Sequence, residues 1–293
     1  MTGESVSVVI PAKNEQATIA RVVAQVAIAV PGAEIIVVDD GSSDATAAAA
    51  REAGATVLSS PYPMGNGAAI KRGARAAKGT LLVFLDADGQ HDPRLIEGLL
   101  DPLGAGYDMV VGARDWSGQA GVGRGVANSL YNWMATWITG HRIADLTSGF
   151  RAVRADLFRE FLHLLPNGFS YPTTITMAFF RSAYAVAYRP IPVARRVGAS
   201  HIRPLQDGVR FFMIIFKIAT LYAPLKVFAP LSSGFALLGL ANYAYTYIQF
   251  GRFTNMSAVL LSAAVVVFLI GLMSEQITSL SHGRARSHGG DRA

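Results

Sequence analysis

Residues 227–250 and 253–274 contain no Asp, Glu, Lys or Arg, and no other feature restricts the fold of this chain so sharply. As helices rising about 1.5 Å per residue, each is long enough to cross a hydrocarbon core of roughly 30 Å. Two buried core helices would show a polar face somewhere, and these stretches have almost none, so a transmembrane hairpin is expected. Arg195, Arg196, Arg203, Arg210, Lys217 and Lys226 precede the first stretch, Arg284, Arg286 and Arg292 follow the second, and the link offers only Arg252. The positive-inside tendency then puts both ends on the cytoplasmic side. The apolar run at residues 6–10 is too short for a signal peptide and is stopped by Pro11, so the first 200 residues are expected to stay inside.

The remainder of the 293 residues suits one globular domain, with the membrane segment as an appendage. Hydrophobic residues make up 51% of the chain and charged ones 16%, an imbalance concentrated in the last quarter. A net charge of +6 invites a nucleic-acid partner, but basic residues beside the spans are accounted for by anionic lipid headgroups. No nucleic acid is expected. Cysteine is absent, which excludes disulfides, thiolate metal sites and cysteine nucleophiles and agrees with a reducing compartment.

Short β-rich runs at residues 6–10, 34–39, 56–58, 80–86 and 108–112 alternate with helical patterns at 15–30, 43–53 and 66–77. This rhythm predicts an α/β fold with a mostly parallel, Rossmann-like, doubly wound sheet, and in such sheets ligands bind beyond the carboxyl ends of the strands. After Gly112 the pattern gives way to a Gly-rich basic segment, 114–124, and then a helix at 128–139 carrying Tyr131, Trp133 and Trp137. That helix suits either the membrane interface or the core. Residues 207–222, apolar with Arg210 and Lys217 seven positions apart, read as an amphipathic helix on the bilayer surface. The composition of 283–293 is that of a disordered tail.

Asp86-Ala87-Asp88-Gly89-Gln90-His91 follows the apolar strand directly. Two carboxylates at i and i+2 beyond a strand end can both reach one Mg²⁺ or Mn²⁺, which in turn binds phosphate oxygens. His91 either orients Gln90 or caps the helix beginning near Pro93. Asp39-Asp40-Gly41-Ser42-Ser43-Asp44 closes the second strand. Ser43 or Asp44 suffices as a helix cap, and the two carboxylates ahead of it suit a nucleobase and ribose hydroxyls.

VVIPAKNE at 8–15, VVDDGSSDAT at 37–46 and LDADGQH at 85–91 resemble family 2 glycosyltransferases with the GT-A fold. DLTSGFRAVR at 145–154, with the C-terminal hairpin, resembles the dolichol-phosphate mannose synthase and bacterial polyprenyl-phosphate glycosyltransferase branch. The resemblance implies that Pro11, Ala12, Asn14, Glu15, Asp39 and Asp40 line a nucleoside pocket flanked by Gly67 and Lys71. It implies a divalent metal on Asp86, Asp88 and Gln90, with Ala87 in the same donor-binding motif. Arg114 and Arg124 would hold an acceptor phosphate, Ser148, Gly149, Phe150 and Arg151 would lie between donor sugar and acceptor, and Arg203 would contact the donor diphosphate.

The implied reaction is an inverting transfer of a hexose from a GDP- or UDP-sugar to undecaprenyl or dolichyl phosphate. The expected organisation is a GT-A domain at 1–204, an interface helix at 205–224, a transmembrane hairpin at 225–277 and a disordered basic tail at 278–293. Asn242, Tyr243, Tyr245 and Tyr247 in the hairpin suggest helix packing or self-association, hence a homo-oligomer. A processive polysaccharide synthase of the same fold would carry a Gln-x-x-Arg-Trp motif, and the chain has no Arg-Trp pair. A non-catalytic scaffold or transporter would not need the acidic motif.

Overall fold

A computed structural model describes residues 4–114, 122–168, 171–192, 216, 219, 220 and 223–287. Side chains are described for these residues apart from 122–128, 130, 131 and 279–287. Two compact units divide the chain, Met1–His201 and Ile202–Ala293.

The first unit is built on a seven-stranded sheet of order β3-β2-β1-β4-β6-β5-β7. Its strands are β1 Val6–Ala12, β2 Glu34–Asp39, β3 Thr56–Ser59, β4 Leu81–Phe84, β5 Met109–Arg114, β6 Arg151–Arg154 and β7 Val186–Ile191. Strands β3, β2, β1 and β4 are mutually parallel, as is the pair β5 and β7. β6 runs antiparallel between β4 and β5. The middles of β1, β2 and β4 are apolar on both parities of the pleat, at residues 8–10, 36–38 and 81–84, and all of these residues are buried, as in a parallel sheet covered on both faces.

On one face Val8 and Ile10 of β1 and Leu81 and Val83 of β4 pack in one buried cluster with α1 (Ile19–Ala29) and α4 (Ile96–Gly104). α1 contributes Ile19, Val22, Val23 and Val26, the i, i+3, i+4, i+7 stripe of an amphipathic helix. α2 (Thr46–Glu52) adds Ala50. The other face carries α3 (Asn66–Ala76), α6 (Ala155–Glu160) and α7 (Tyr171–Arg181), where the Phe84 ring lies 4.7 Å from Phe158 and 6.2 Å from Tyr171. The short 3₁₀ turn Pro93–Leu95 precedes α4, and Asp92 caps it by accepting from the Arg94 N–H. The cap is therefore Asp92 rather than His91.

The expected parallel strands are all present, while β6 and β7 did not stand out in the sequence. α5 (Val122–Thr139) resolves the choice posed by its aromatic residues in a mixed way: Ala135 and Ile138 are buried, whereas Trp133 and Trp137, one turn apart, are exposed.

In the second unit α8 (Pro224–Phe250) and α9 (Asn255–Ser287) form a helical hairpin, with Gly251 in the left-handed region ending α8. The segments Pro224–Phe250 and Asn255–Thr278 reach mean hydropathies of 1.4 and 2.6 and are long and apolar enough to cross a membrane. Only 17% of each apolar window is buried, the opposite of a soluble core helix. Ser232 donates to the Ala264 carbonyl at 2.8 Å, and the Asn242 amide donates to Ser257 at 2.9 Å and Thr254 at 3.3 Å. In lipid such interhelical bonds contribute about 0.6–2 kcal/mol each. Asn242 is thus used within the hairpin, while Tyr245 and Tyr247 are exposed.

The backbone of α9 runs helical to Ser287, into the stretch whose composition suggests a disordered tail, because a helix once nucleated extends at little cost per residue. Residues 288–293 lie outside the described residues. So does most of the expected interface helix, of which Phe216, Ala219 and Thr220 are helical and Thr220 donates to the Phe216 carbonyl.

Phe84 anchors the α3–α6–α7 face, and truncating a buried aromatic costs about 3–5 kcal/mol. Phe84→Ala is expected to lower the thermal unfolding midpoint of the detergent-solubilised protein sharply; a midpoint unchanged from wild type would mean that this face does not hold the domain together.

Candidate active site

Parallel strands deliver their carboxyl ends to one edge of the sheet. Ala12 ends β1, Asp39 ends β2, Asp86 and Asp88 follow β4, and Arg114 ends β5. Antiparallel β6 brings its amino end to the same edge, since Arg151 pairs with Phe84. Residues 145–151 thereby arrive beside the acidic motif, although the sequence separates them by about sixty positions.

Gly149 makes the approach possible. A Cβ there would lie 3.0 Å from Asp86 Oδ2 and 3.3 Å from Oδ1. The loop above it is tied down from below by Arg151, which is fully buried and donates to the carbonyls of Ser148 and Pro172 (3.1 Å) and to Thr176 Oγ1 at 3.2 Å. Tyr171 donates to the Gly149 carbonyl at 3.2 Å, and its ring lies under the Arg151 guanidinium. Ser148 is also buried, and its Oγ has no hydrogen-bond partner among the described residues.

Asp145 fixes Arg114. Its carboxylate receives Arg114 Nε at 2.7 Å and Nη2 at 2.9 Å, a bidentate pair, and also the backbone N–H groups of Arg114, Thr147 and Ser148. Arg114 Nη2 donates to Thr147 Oγ1 as well. Burial would raise the Asp145 pKa, but the hydrogen bonds and charge of Arg114 outweigh it and hold the carboxyl below its usual range. The Arg114 side chain stays 22% exposed while Asp145 is 3% exposed, so a partly exposed arginine is held by a buried carboxylate.

Asp86 stands in the opposite situation. Burial first, and then the neighbouring Asp88, push its pKa up to about 6, against the opposing pull of Arg114 and Arg151. Glu15 adds a further negative charge nearby. Asp88 accepts the Gln90 N–H at 3.0 Å, with Gly89 at φ +71° making the tight turn. Two carboxylates crowded in this way are a donor set short of positive charge. Among the described residues no three acidic or histidine side chains are grouped to hold a metal alone, so the pair suits a hard cation whose other ligands are water and phosphate oxygens.

His91 is buried and stacks on Phe150, centroids 5.1 Å apart. Its Nδ1 has no hydrogen-bond partner among the described residues, and burial keeps its pKa below the usual imidazole value. It joins the acidic turn to the 148–151 loop.

Around β1 and β2 the expected residues are also assembled. Asn14, at φ +56°, donates its N–H to Ser42 Oγ and accepts from the Ser43 N–H. The Glu15 N–H donates to Thr46, and its carboxylate accepts from Thr18. Asp39 and Asp40 are both buried, with Asp39 paired beside Ala12 and the Asp40 N–H donating to the Ala12 carbonyl. Asp44 accepts from the Thr46 N–H at the start of α2.

Gly67 and Lys71 hold a neighbouring loop. A Cβ on Gly67 would meet the Pro166 carbonyl oxygen at 2.0 Å, and Lys71 donates to the Leu165 carbonyl and to Asn167 Oδ1. The side chain of Arg124 and all of Arg203 lie outside the described residues. Asp145 and His91 are the contributors to which the sequence assigned no definite role. Asp145 opens the run at 145–154, but nothing in the spacing signals its pairing with Arg114.

The glycosyl transferase family 2 profile matches residues 7–162, more than half of the chain. The chain belongs to glycosyl transferase family 2. It is a glycosyltransferase, and its residues 223–280 match the GtrB C-terminal hairpin. It is 30% identical to the polyprenol monophosphomannose synthase of Mycolicibacterium smegmatis, over 72% of this chain and 84% of that one. It is also 30% identical to the undecaprenyl-phosphate 4-deoxy-4-formamido-L-arabinose transferase of Edwardsiella ictaluri, over 82% and 75% respectively. Glucosyl-3-phosphoglycerate synthase from Mycobacterium tuberculosis, solved with Mn²⁺, UDP and glucosyl-3-phosphoglycerate, superposes with a TM-score of 0.59 at 26% identity, covering 74% of this chain and 78% of that one.

The raised Asp86 pKa has a definite sign. A carboxyl whose folded pKa lies above its unfolded value destabilises the fold above that value, and the penalty is relieved as pH falls from about 7 towards 4. In the metal-free glycosyltransferase, Asp86→Asn is expected to raise stability at pH 7.5 by about 1–3 kcal/mol and to have little effect near pH 4. Thermal unfolding across that range checks it, and a destabilised variant at pH 7.5 would contradict the crowding of the pair.

Proposed function

We propose that this glycosyltransferase moves a single hexose from a nucleotide-sugar to the phosphate of a polyprenyl lipid at the cytoplasmic face of a membrane. The observation that carries this reading is the carboxylate pair beyond β4 facing the Asp145-anchored Arg114. The charge-free hairpin of the same chain and the polyprenol and undecaprenyl-phosphate names of its relatives support the lipid acceptor. The basic flanks of the hairpin support the cytoplasmic side.

Asp86, Asp88 and Gln90 are the residues suited to hold Mg²⁺ or Mn²⁺, which when bound would neutralise a diphosphate leaving group. The nucleoside would rest on Pro11 and Ala12 beside Asp39, within walls kept in shape by Asn14, Glu15, Asp40, Gly67 and Lys71. Arg114 would receive the acceptor phosphate, with Arg124 and Arg203 assisting at the acceptor and the donor diphosphate. A phosphate monoester has its second pKa near 6 and is already a dianion for the most part at neutral pH, so the attack needs no strong base. An oxygen of the lipid phosphate would form the bond to the sugar anomeric carbon as the bond to the diphosphate oxygen breaks, with inversion. Positioning and charge compensation would supply the rate. Arg151, buried beneath the loop, acts here as a positioning residue rather than as a group touching substrate.

The proposed organisation is a catalytic domain at 1–204, a surface helix at 205–224, a membrane hairpin at 225–277 and a basic tail at 278–293, in an assembly that self-associates through the hairpin. The exposed Trp133 and Trp137 suit the headgroup layer, where the phosphate of a membrane-bound isoprenoid lies.

Radiolabelled nucleotide-sugars incubated with the full-length protein, divalent metal and vesicles carrying polyprenyl phosphate test this reading. Label is expected in a lipid bearing one sugar, and Asp88→Ala is expected to reduce it by about 100-fold or more. Label in a long polymer, or equal transfer in the absence of polyprenyl phosphate, would overturn it.

A further inference from the structure

The side chains suited to hold a metal do little to hold their own turn. Asp86 accepts no hydrogen bond from the described residues and the Gln90 amide makes none with them, while Asp88 accepts only the Gln90 N–H at 3.0 Å. The turn is fixed elsewhere. At its start the Leu85 N–H donates to the Val9 carbonyl at 3.2 Å, and Ala87 is buried in the same core cluster as Phe150. At its far end the buried His91 lays its ring on Phe150, with centroids 5.1 Å apart and planes 19° from parallel. Asp92, the next residue, is turned away to the N–H and side chain of Arg94. The stretch carrying Asp88 and Gln90 is thus suspended between Ala87 and His91.

Phe150 is a fixed plate for that ring. It is fully buried, its carbonyl accepts the Gly112 N–H at 2.9 Å, and the two residues before it have their carbonyls held by Arg151 and Tyr171. His91 meets the plate with the face of its ring, since Nδ1 has no hydrogen-bond partner among the described residues and the following 3₁₀ turn is capped by Asp92. Stacking sets both the separation and the tilt of two planes, so it transmits the position of the loop to the end of the turn. Building on the metal-dependent transfer reading above, we propose that His91 is a positioning residue. Its ring, stacked on Phe150, latches the far end of the acidic turn to the 148–151 loop and holds Asp88 and Gln90 in register with Asp86, with no proton passing through the imidazole. Loss of a support behind metal ligands typically lowers metal affinity by about 10–100-fold.

Amide hydrogen exchange and Mn²⁺ binding of the purified full-length protein test the latch together. His91→Ala is expected to speed exchange across residues 87–91. With whichever of GDP and UDP the protein binds, it is also expected to weaken Mn²⁺ by about tenfold or more, read by electron paramagnetic resonance. His91→Phe keeps a flat ring without nitrogens and is expected to hold exchange and Mn²⁺ affinity within about twofold of wild type. His91→Gln, which offers hydrogen bonds but no ring face, is expected to follow His91→Ala. Wild-type exchange or wild-type Mn²⁺ affinity in His91→Ala would overturn the proposal. So would a His91→Phe protein that loses Mn²⁺ as the alanine variant does with its unfolding midpoint intact, because a ring nitrogen would then be at work. If the phenyl ring lowers the midpoint, Phe150→Leu decides from the other side of the stack: faster exchange across 87–91 is expected, and an unchanged rate would remove the latch. Wild-type protein that binds no Mn²⁺ beyond the nucleotide would take down the metal-dependent reading, and the exchange rates would still decide the latch.

Discussion

Two carboxylates, Asp86 and Asp88, are placed close together at the end of a buried strand, and much of the catalytic unit is arranged around that unfavourable fact. Burial and the neighbouring Asp88 raise the Asp86 pKa, and that costs stability. The fold offsets the cost partly with Arg114 and Arg151, each of which lowers the Asp86 pKa. A cation would complete the compensation. The loop that crosses Asp86 can do so only because position 149 has no side chain, so the geometry of the site and its electrostatics come from the same close approach.

Around this centre, residues that a motif would assign to ligand binding are largely occupied in holding one another. Asp40 carries the backbone amides of 64 and 65, Asn14 accepts the amide of 43 and donates its own to the Ser42 hydroxyl, Lys71 holds the carbonyl of 165, and Asp145 holds both Arg114 and the amides of 147 and 148. This prior commitment is what preorganises the few groups left open. It also explains why neighbouring, chemically identical residues such as Asp39 and Asp40 can have different parts.

The parallel half of the sheet was legible because its strands are short apolar runs separated by helices with a 3.6-residue stripe, a local pattern. The order of β6 between β4 and β5 was not. Its four residues, Arg151 to Arg154, begin and end with arginine, so no apolar run marks them. Arg151 is nevertheless fully buried, because carbonyls of 148 and 172 and the hydroxyl of Thr176 satisfy it. The acidic pair was legible from its position after β4. Its partnership with the 145–151 loop depends on an antiparallel crossover that no spacing rule predicts. The hairpin, defined by a lack of charge, needed no tertiary information at all.

The central claim is that Asp86 and Asp88 form the divalent-metal site on which diphosphate departure depends. Electron paramagnetic resonance of Mn²⁺ titrated into the protein loaded with whichever of GDP and UDP it binds measures this directly, against a baseline of Mn²⁺ with that nucleotide alone. The wild-type protein is expected to remove free Mn²⁺ beyond that baseline, and Asp88→Ala to fall back to it with its fold intact. An Asp88→Ala protein that binds Mn²⁺ as tightly as wild type would contradict the account.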